Sequence, residues 1–283
     1  MRSRTGTADA EFPPVECVSS KGAFAGFRVS GFLATTVPEL RRFLATTKGC
    51  AMTKLLFAVT SADHWTLNDG TAHPTGYWAE ELVEAHRVFV EAGYDIVIAT
   101  PGGKAPVVDE GSLVPEVNGG QEGADRMRKY IADLQPALDS PEILENADAA
   151  DYDVVFVPGG HGPMEDLAVS ASFGELLVKF LDADKVVSAV CHAPAALLPA
   201  QRSDGSWLFD GYQLTAFTNE EETQAGLADK APWLLETRLR ELGGKFSKAD
   251  AWSPYVVVDR KLYTGQNPAS SKPLAERIVA DLG

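Results

Sequence analysis

The chain has 283 residues, 45% of them hydrophobic and 23% charged, enough to bury a sizeable core in one domain or two. Its formal net charge of −15 excludes the clustered lysines and arginines that nucleic acid or an anionic membrane demands, and no apolar run reaches membrane-spanning length. Cys17, Cys50 and Cys191 form no C-x-x-C pair and no regular spacing, so neither a disulfide framework nor a zinc site is expected, and a reducing cytoplasm fits best.

Residues 1–51 hold seven basic against four acidic residues and read as a loosely ordered N-terminal extension. A single domain is expected over 52–283. Lys54–Thr60 and Tyr94–Thr100 have the length and apolar content of strands, with a helix between them, which makes a βαβ unit and a parallel sheet. The polar loop from Ser61 to Pro74 falls at the carboxyl end of the first strand, where α/β proteins bind ligands. In the helix, Trp78, Leu82, Ala85 and Phe89 share one face, Glu81 lies at its edge and Glu80 points away. Glu81 is thus the glutamate expected to be partly buried, and burial raises a carboxyl pKa toward the range useful for proton transfer. A residue at such an edge also often only flanks the core.

Pro101–Gly120 is rich in glycine and proline, with an edge hairpin expected near Ala105–Asp109, and short helices are expected over Asp125–Leu134 and Pro141–Ala147. Asp153–Pro158 reads as the third strand, followed by Gly159-Gly160-His161-Gly162. A glycine-dense turn after a buried strand leaves N–H groups free for developing negative charge, so an oxyanion site is expected there; His161 alone reads as a loop histidine. A helix over Phe173–Leu181 leads into the strand Lys185–Val190, which breaks at Cys191 and resumes as helix from Pro194. That strand-to-helix turn is a nucleophile's position, and a helix N-terminus lowers a thiol pKa, although a lone cysteine at a strand end is also a common core residue.

Two strands are expected at Trp207–Phe209 and Gln213–Phe217, and a helix opening at Asn219 whose acidic first turn complements its dipole. Further on, a helix over Trp233–Leu242 stops at Gly243-Gly244. A hairpin turning at Asp259-Arg260 and a closing helix over Pro268–Leu282 complete the chain. His64, His73 and His86 show no metal-ligand spacing, and neither a dinucleotide fingerprint nor a P-loop is present, so no metal and no cofactor are expected.

Four motifs, Gly159-Gly160-His161-Gly162, Ala189-Val190-Cys191-His192-Ala193-Pro194-Ala195, Ala216-Phe217-Thr218-Asn219 and Thr264-Gly265-Gln266-Asn267-Pro268-Ala269-Ser270, occur in this order. Together with Thr75-Gly76 before Glu81 they resemble the ThiJ/PfpI superfamily, a glutamine amidotransferase-like group, and within it the glutathione-independent glyoxalase III branch, whose members are also described as heat-shock chaperones. The resemblance implies a flavodoxin-like α/β parallel-sheet sandwich with helices on both faces and a small cap, usually a homodimer. It implies Cys191 as nucleophile, His192 beside it, Glu222 as the acid orienting the histidine, Glu81 as the buried glutamate on the thiol, and the N–H groups of Gly160 and His192 as oxyanion donors. Ala193 stands where the family usually has glycine. The implied reaction converts a small dicarbonyl, methylglyoxal, to lactate through a cysteine hemithioacetal; a holding chaperone, or a deglycase or amidohydrolase using the same thiol, is the alternative. A thiolate would raise the pKa of Glu81, whereas a protonated Glu81 would stabilise a thiolate, and the sequence leaves both microstates open.

Overall fold

The computed structural model describes residues 52–283, and the extension expected over 1–51 lies outside them. In chain order the elements are β1 (Lys54–Ala58), β2 (His64–Thr66), β3 (Ala72–Pro74), α1 (Ala79–Glu91), β4 (Asp95–Thr100), α2 (Gln121–Leu138), β5 (Glu142–Ile143) and β6 (Val154–Val157). They continue as α3 (Gly162–Glu165), α4 (Ala171–Asp182), β7 (Val186–Val190), β8 (Gln213–Leu214), α5 (Asn219–Gln224), α6 (Leu235–Glu241), β9 (Lys245–Phe246), β10 (Val256–Asp259), β11 (Leu262–Gly265) and α7 (Ser271–Leu282).

Seven strands form one sheet in the order β10-β11-β7-β6-β1-β4-β5, parallel throughout except for the antiparallel β10–β11 hairpin. The parallel strands read as unbroken apolar runs because helices cover both faces. Along β1 the side chains alternate. Leu55 and Phe57 enter one core with Leu82, Phe89 and Ile278, while Leu56 and Ala58 enter the other with Phe173, Leu177 and Phe180. Thus α1 and α7 lie on one face and α4 on the other, the flavodoxin-like sandwich the motifs implied. The carboxyl ends of β1, β6 and β7 converge on one rim of the sheet, which places the loops after them together.

The irregular segments depart from the sequence reading, each for a local reason. Ala105–Asp109 does not fold on itself: the N–H of Tyr77 donates to Val107 O and the N–H of Asp109 to Tyr77 O, both at 2.9 Å, so it pairs with the chain leading into α1. Ser112 Oγ then accepts the Ala79 N–H at 3.0 Å and caps that helix. The expected helix over 125–134 runs over Gln121–Leu138 instead, accommodating Pro136 in its last turn. Pro141–Ala147 is not helical as a whole; Glu142 and Ile143 pair with β4 and form the edge of the sheet, and only Leu144–Asn146 makes a 3-10 turn. Trp207–Phe209 forms no strand because Arg202 takes the carbonyls of Trp207 and Leu208 at 2.7 and 2.6 Å, which a strand ladder would need. Gln213-Leu214 pairs in parallel with β9 rather than with that segment. The polar loop after β1 holds the small hairpin β2–β3. Among the described residues no helix is long and apolar enough to cross a membrane.

Candidate active site

Strand β7 ends at Val190, and Cys191 turns into the left-handed region with φ of 61°. For a residue with a Cβ that conformation costs roughly 1–2 kcal/mol, so the surroundings must hold it. They do: its N–H donates to Gly265 O at 2.9 Å and its carbonyl accepts the Phe217 N–H at 2.8 Å. These two bonds tie together the second, third and fourth motifs. The turn presents Sγ above the sheet rim.

Beyond His192 the chain makes a five-residue 3-10 turn, Ala193–Leu197, not the expected α-helix, and all five residues are buried. Ala193 is fully buried in it, so the small side chain in place of glycine is absorbed in the core. One short turn carries little dipole, and burial decides the thiol's state. Cys191 is pushed well above the ordinary thiol pKa by burial first and then by the Glu81 carboxyl. This reverses the direction expected from a helix N-terminus.

His192 Nδ1 lies 3.4 Å from Sγ, and its Nε2 lies 2.6 Å from Glu222 Oε2. Burial, and then the neighbouring His161, lower the pKa of His192. Burial alone would raise Glu222, but His192 and then His161 pull it below the usual carboxylate range. An ionised carboxylate only accepts, so His192 carries its proton on Nε2 and turns the lone pair of Nδ1 toward the thiol. The resting pair is therefore a neutral thiol beside a neutral imidazole, with the base already oriented.

Glu81 projects from the first turn of α1 and is fully buried, further in than its helical position implied. Oε2 accepts the Gly159 N–H at 2.7 Å, Oε1 is buried without a hydrogen-bond partner, and the carboxyl group lies against the Cys191 thiol. Burial pushes its carboxyl up to about 8. Its protonated form is thus favoured near neutral pH. Gly159 permits this approach: a Cβ there would stand 2.8 Å from Glu81 Oε2 and 2.7 Å from Val190 O.

Gly160 adopts φ of 90°, and its N–H points at the sulfur. Among the described residues neither this N–H nor that of His192 donates to a backbone carbonyl, so two donors remain available beside Sγ. The open side of the site is a small pocket of about 70 Å³ walled by Trp78, Phe217, Trp252 and Pro268. Trp252, itself at φ of 64°, is fixed by its ring N–H on Gln224 Oε1 at 2.6 Å and its backbone N–H on Glu221 Oε1 at 2.8 Å.

Two residues were missed by sequence reasoning. His161, read as a loop histidine, donates from Nε2 to the other oxygen of Glu222 at 2.9 Å, so two imidazoles share one carboxylate. Its placement directly after a buried strand, in the Gly-rich turn, was the available signal. Glu221, read only as one of the first-turn acids that complement the helix dipole, is fully buried. It accepts from Thr218, Trp252, Gln266 and Asn267, and Thr218-x-x-Glu221 is a capping box visible in the sequence. His64, His73 and His86 do not converge on a metal site. His161, His192 and Glu222 instead bring one potential ligand atom each within 4.8 Å of one another, although both Glu222 oxygens already accept from the two rings.

The fold is a flavodoxin-like α/β sandwich with Cys191 buried at a strand-to-turn junction on its carboxyl rim. A family model described as DJ-1/PfpI matches residues 74–281, and the chain belongs to that family. It is 34% identical over 187 residues to the human glutamine amidotransferase-like class 1 domain-containing protein 1, covering 66% of this chain and 80% of that protein. It is 31% identical over 240 residues to the protein/nucleic acid deglycase HchA of Pseudomonas aeruginosa, covering 81% and 80%. The crystal structure of glyoxalase III from Candida albicans superposes with a TM-score of 0.70 at 28% identity, over 81% of this chain and 97% of that one.

Proposed function

We propose that this protein is a glutathione-independent glyoxalase that converts methylglyoxal to lactate on Cys191. The observation that carries the reading is Glu81, a fully buried carboxyl that lies against the Cys191 thiol and keeps one oxygen unpartnered. Acyl transfer by a Cys-His-Glu triad has no need of a second acid at the sulfur. Moving a proton between two adjacent carbons does.

In this mechanism Sγ adds to the aldehyde carbon while its proton passes to His192 Nδ1, and Glu222 stabilises the imidazolium. The N–H groups of Gly160 and His192 receive the developing oxyanion. Glu81, as carboxylate, then takes the proton from the aldehyde carbon and returns it to the neighbouring carbon through an enediol. A carboxyl pushed up to about 8 is a stronger base than a surface glutamate and is still ionised part of the time near neutrality. One carbon is oxidised to a thioester and its neighbour reduced to an alcohol, so the rearrangement is internal and calls on no cofactor. Water then cleaves the thioester. Relatives bearing the name glyoxalase III support the reading.

Lactate formation from methylglyoxal without added thiol is the test. The wild type is expected to be active, and Cys191→Ala and Glu81→Gln to lose at least about 100-fold each with circular dichroism unchanged. A Cys191→Ala variant that still makes lactate would sink the mechanism. A Glu81→Gln variant with full activity would leave the triad for hydrolytic chemistry of the deglycase or amidohydrolase kind.

A further inference from the structure

We propose that His161 is the base for the hydrolytic half of the cycle, drawing the proton from the water that attacks the Cys191 acyl-enzyme. The proposal rests on the acyl-enzyme of the glyoxalase reaction and extends it to a residue the triad does not use.

Both imidazoles stand in the same relation to Glu222. His192 Nε2 is 2.6 Å from one oxygen and His161 Nε2 is 2.9 Å from the other. Since the carboxylate only accepts, each ring carries its proton on Nε2 and keeps a basic Nδ1. The two differ in what that nitrogen meets. His192 Nδ1 is turned onto Sγ at 3.4 Å, in a ring 2% exposed and covered by Phe217 and His161 at centroid distances of 4.3 and 4.0 Å. That leaves no room for water between base and sulfur.

His161 Nδ1 has no hydrogen-bond partner among the described residues, and the residue keeps 8% of its surface exposed. The ring lines the same pocket as the thiol. Its plane is set by Trp65, stacked at 4.9 Å and 18°. A ring held in place by Trp65 and Glu222, lining the pocket with its second nitrogen unengaged among the described residues, is a base for whatever enters. The thiol does not reach it, so water is the proton source at hand.

The step balances without a further reactant. The water oxygen bonds to the thioester carbon as one water proton passes to His161 Nδ1. The C–S bond then breaks with its electron pair on Sγ. The proton held by His161 returns to the thiolate through pocket water, leaving thiol and carboxylic acid, and the acid ionises in solvent. The two histidines thus divide the cycle, His192 for making the acyl-enzyme and His161 for clearing it.

His161→Gln keeps an N–H donor near Glu222 and lacks the base. Rapid-quench experiments on the full chain with methylglyoxal are expected to show acylation within about 3-fold of wild type and turnover at least about 100-fold slower. Acyl-enzyme should accumulate, and hydroxylamine, which needs no base, should release it as lactohydroxamate equally fast from both proteins. His161→Asn serves as the second variant should the glutamine not be accommodated. The same measurement with p-nitrophenyl acetate separates the two readings. A deacylation defect with the ester but no lactate from methylglyoxal would uphold the role of His161 and reject the glyoxalase assignment. Turnover within about 3-fold of wild type, acylation falling in step with deacylation, or no Cys191-dependent acyl-enzyme with either compound would overturn the proposal.

Discussion

Cys191 and Glu81 share one problem. Each has an ionised form that burial disfavours; the Glu81 carboxyl raises the thiol pKa further, whereas the thiol's contact lowers that of Glu81 without offsetting its burial, so both groups hold their protons at rest. Replacing Glu81 with glutamine keeps an oxygen for the Gly159 N–H and removes the carboxylate. The thiol pKa should then fall, though burial still holds it above the ordinary value, and iodoacetamide should alkylate Cys191 faster at pH 8. Stability should move the same way. The folded carboxyl titrates at about 8, against a usual 4.5 in the unfolded chain. Between those values the unfolded chain has lost a proton that the folded one retains, so wild type loses stability as pH rises and Glu81→Gln does not. Thermal unfolding should find the variant equal to wild type at pH 4 and higher by roughly 10 °C at pH 9. Equal melting temperatures at both pH values would mean that Glu81 is not the strained acid the geometry describes.

Glu222 is held in place by α5, a helix of only six residues that cannot be stable alone and depends on its first turn. Thr218 and Glu221 close that turn reciprocally, and Glu221 Oε1 also gathers the Trp252 N–H and the amides of Gln266 and Asn267 at 2.8, 3.1 and 2.9 Å. The fourth motif therefore serves the third: its polar side chains anchor the helix that carries the acid. Glu221→Ala orphans several buried donors and should cost about 3 kcal/mol in urea unfolding, at 1–3 kcal/mol for each donor that water cannot reach. It should also free Trp252 and lower activity by loosening Glu222. A change under about 0.5 kcal/mol would show that water replaces the carboxylate. The strands and Glu81 were legible because burial repeats along the chain, as the β-branched runs of β6 and β7 and the Trp78-Leu82-Ala85 stripe record. The partnership of His161 with Glu222 spans 61 residues, and no periodicity encodes a meeting through space. The same limit hid the pairing of Ala105–Asp109 with Tyr77 and the capture of the Trp207 and Leu208 carbonyls by Arg202. In each case a partner outside the segment overrode the segment's own propensity.

The pocket beside the thiol is walled by Trp78, Phe217, Trp252 and Pro268. The neighbouring outer cleft, which shares Trp78, Trp252 and Pro268 with it, adds Glu80 and Glu116 and no basic side chain. The approach to the thiol is therefore negative, and a cleft of one sign focuses that field on whatever enters. Methylglyoxal is neutral and feels little of it, whereas glyoxylate presents an aldehyde of similar size beside a carboxylate. Discrimination against the anion should weaken as salt screens the field, since the Debye length falls from about 30 Å at 0.01 M to about 8 Å at 0.15 M ionic strength. Thiohemiacetal formation on Cys191, followed as protection from alkylation, should then show an apparent affinity for glyoxylate that rises several-fold over this range, with methylglyoxal unchanged. Neutralising the entrance by Glu80→Gln with Glu116→Gln should give much of the same gain at low salt, and leave methylglyoxal alone. Equal salt dependence for the two aldehydes would assign the selectivity to the aromatic walls rather than to the charge around them.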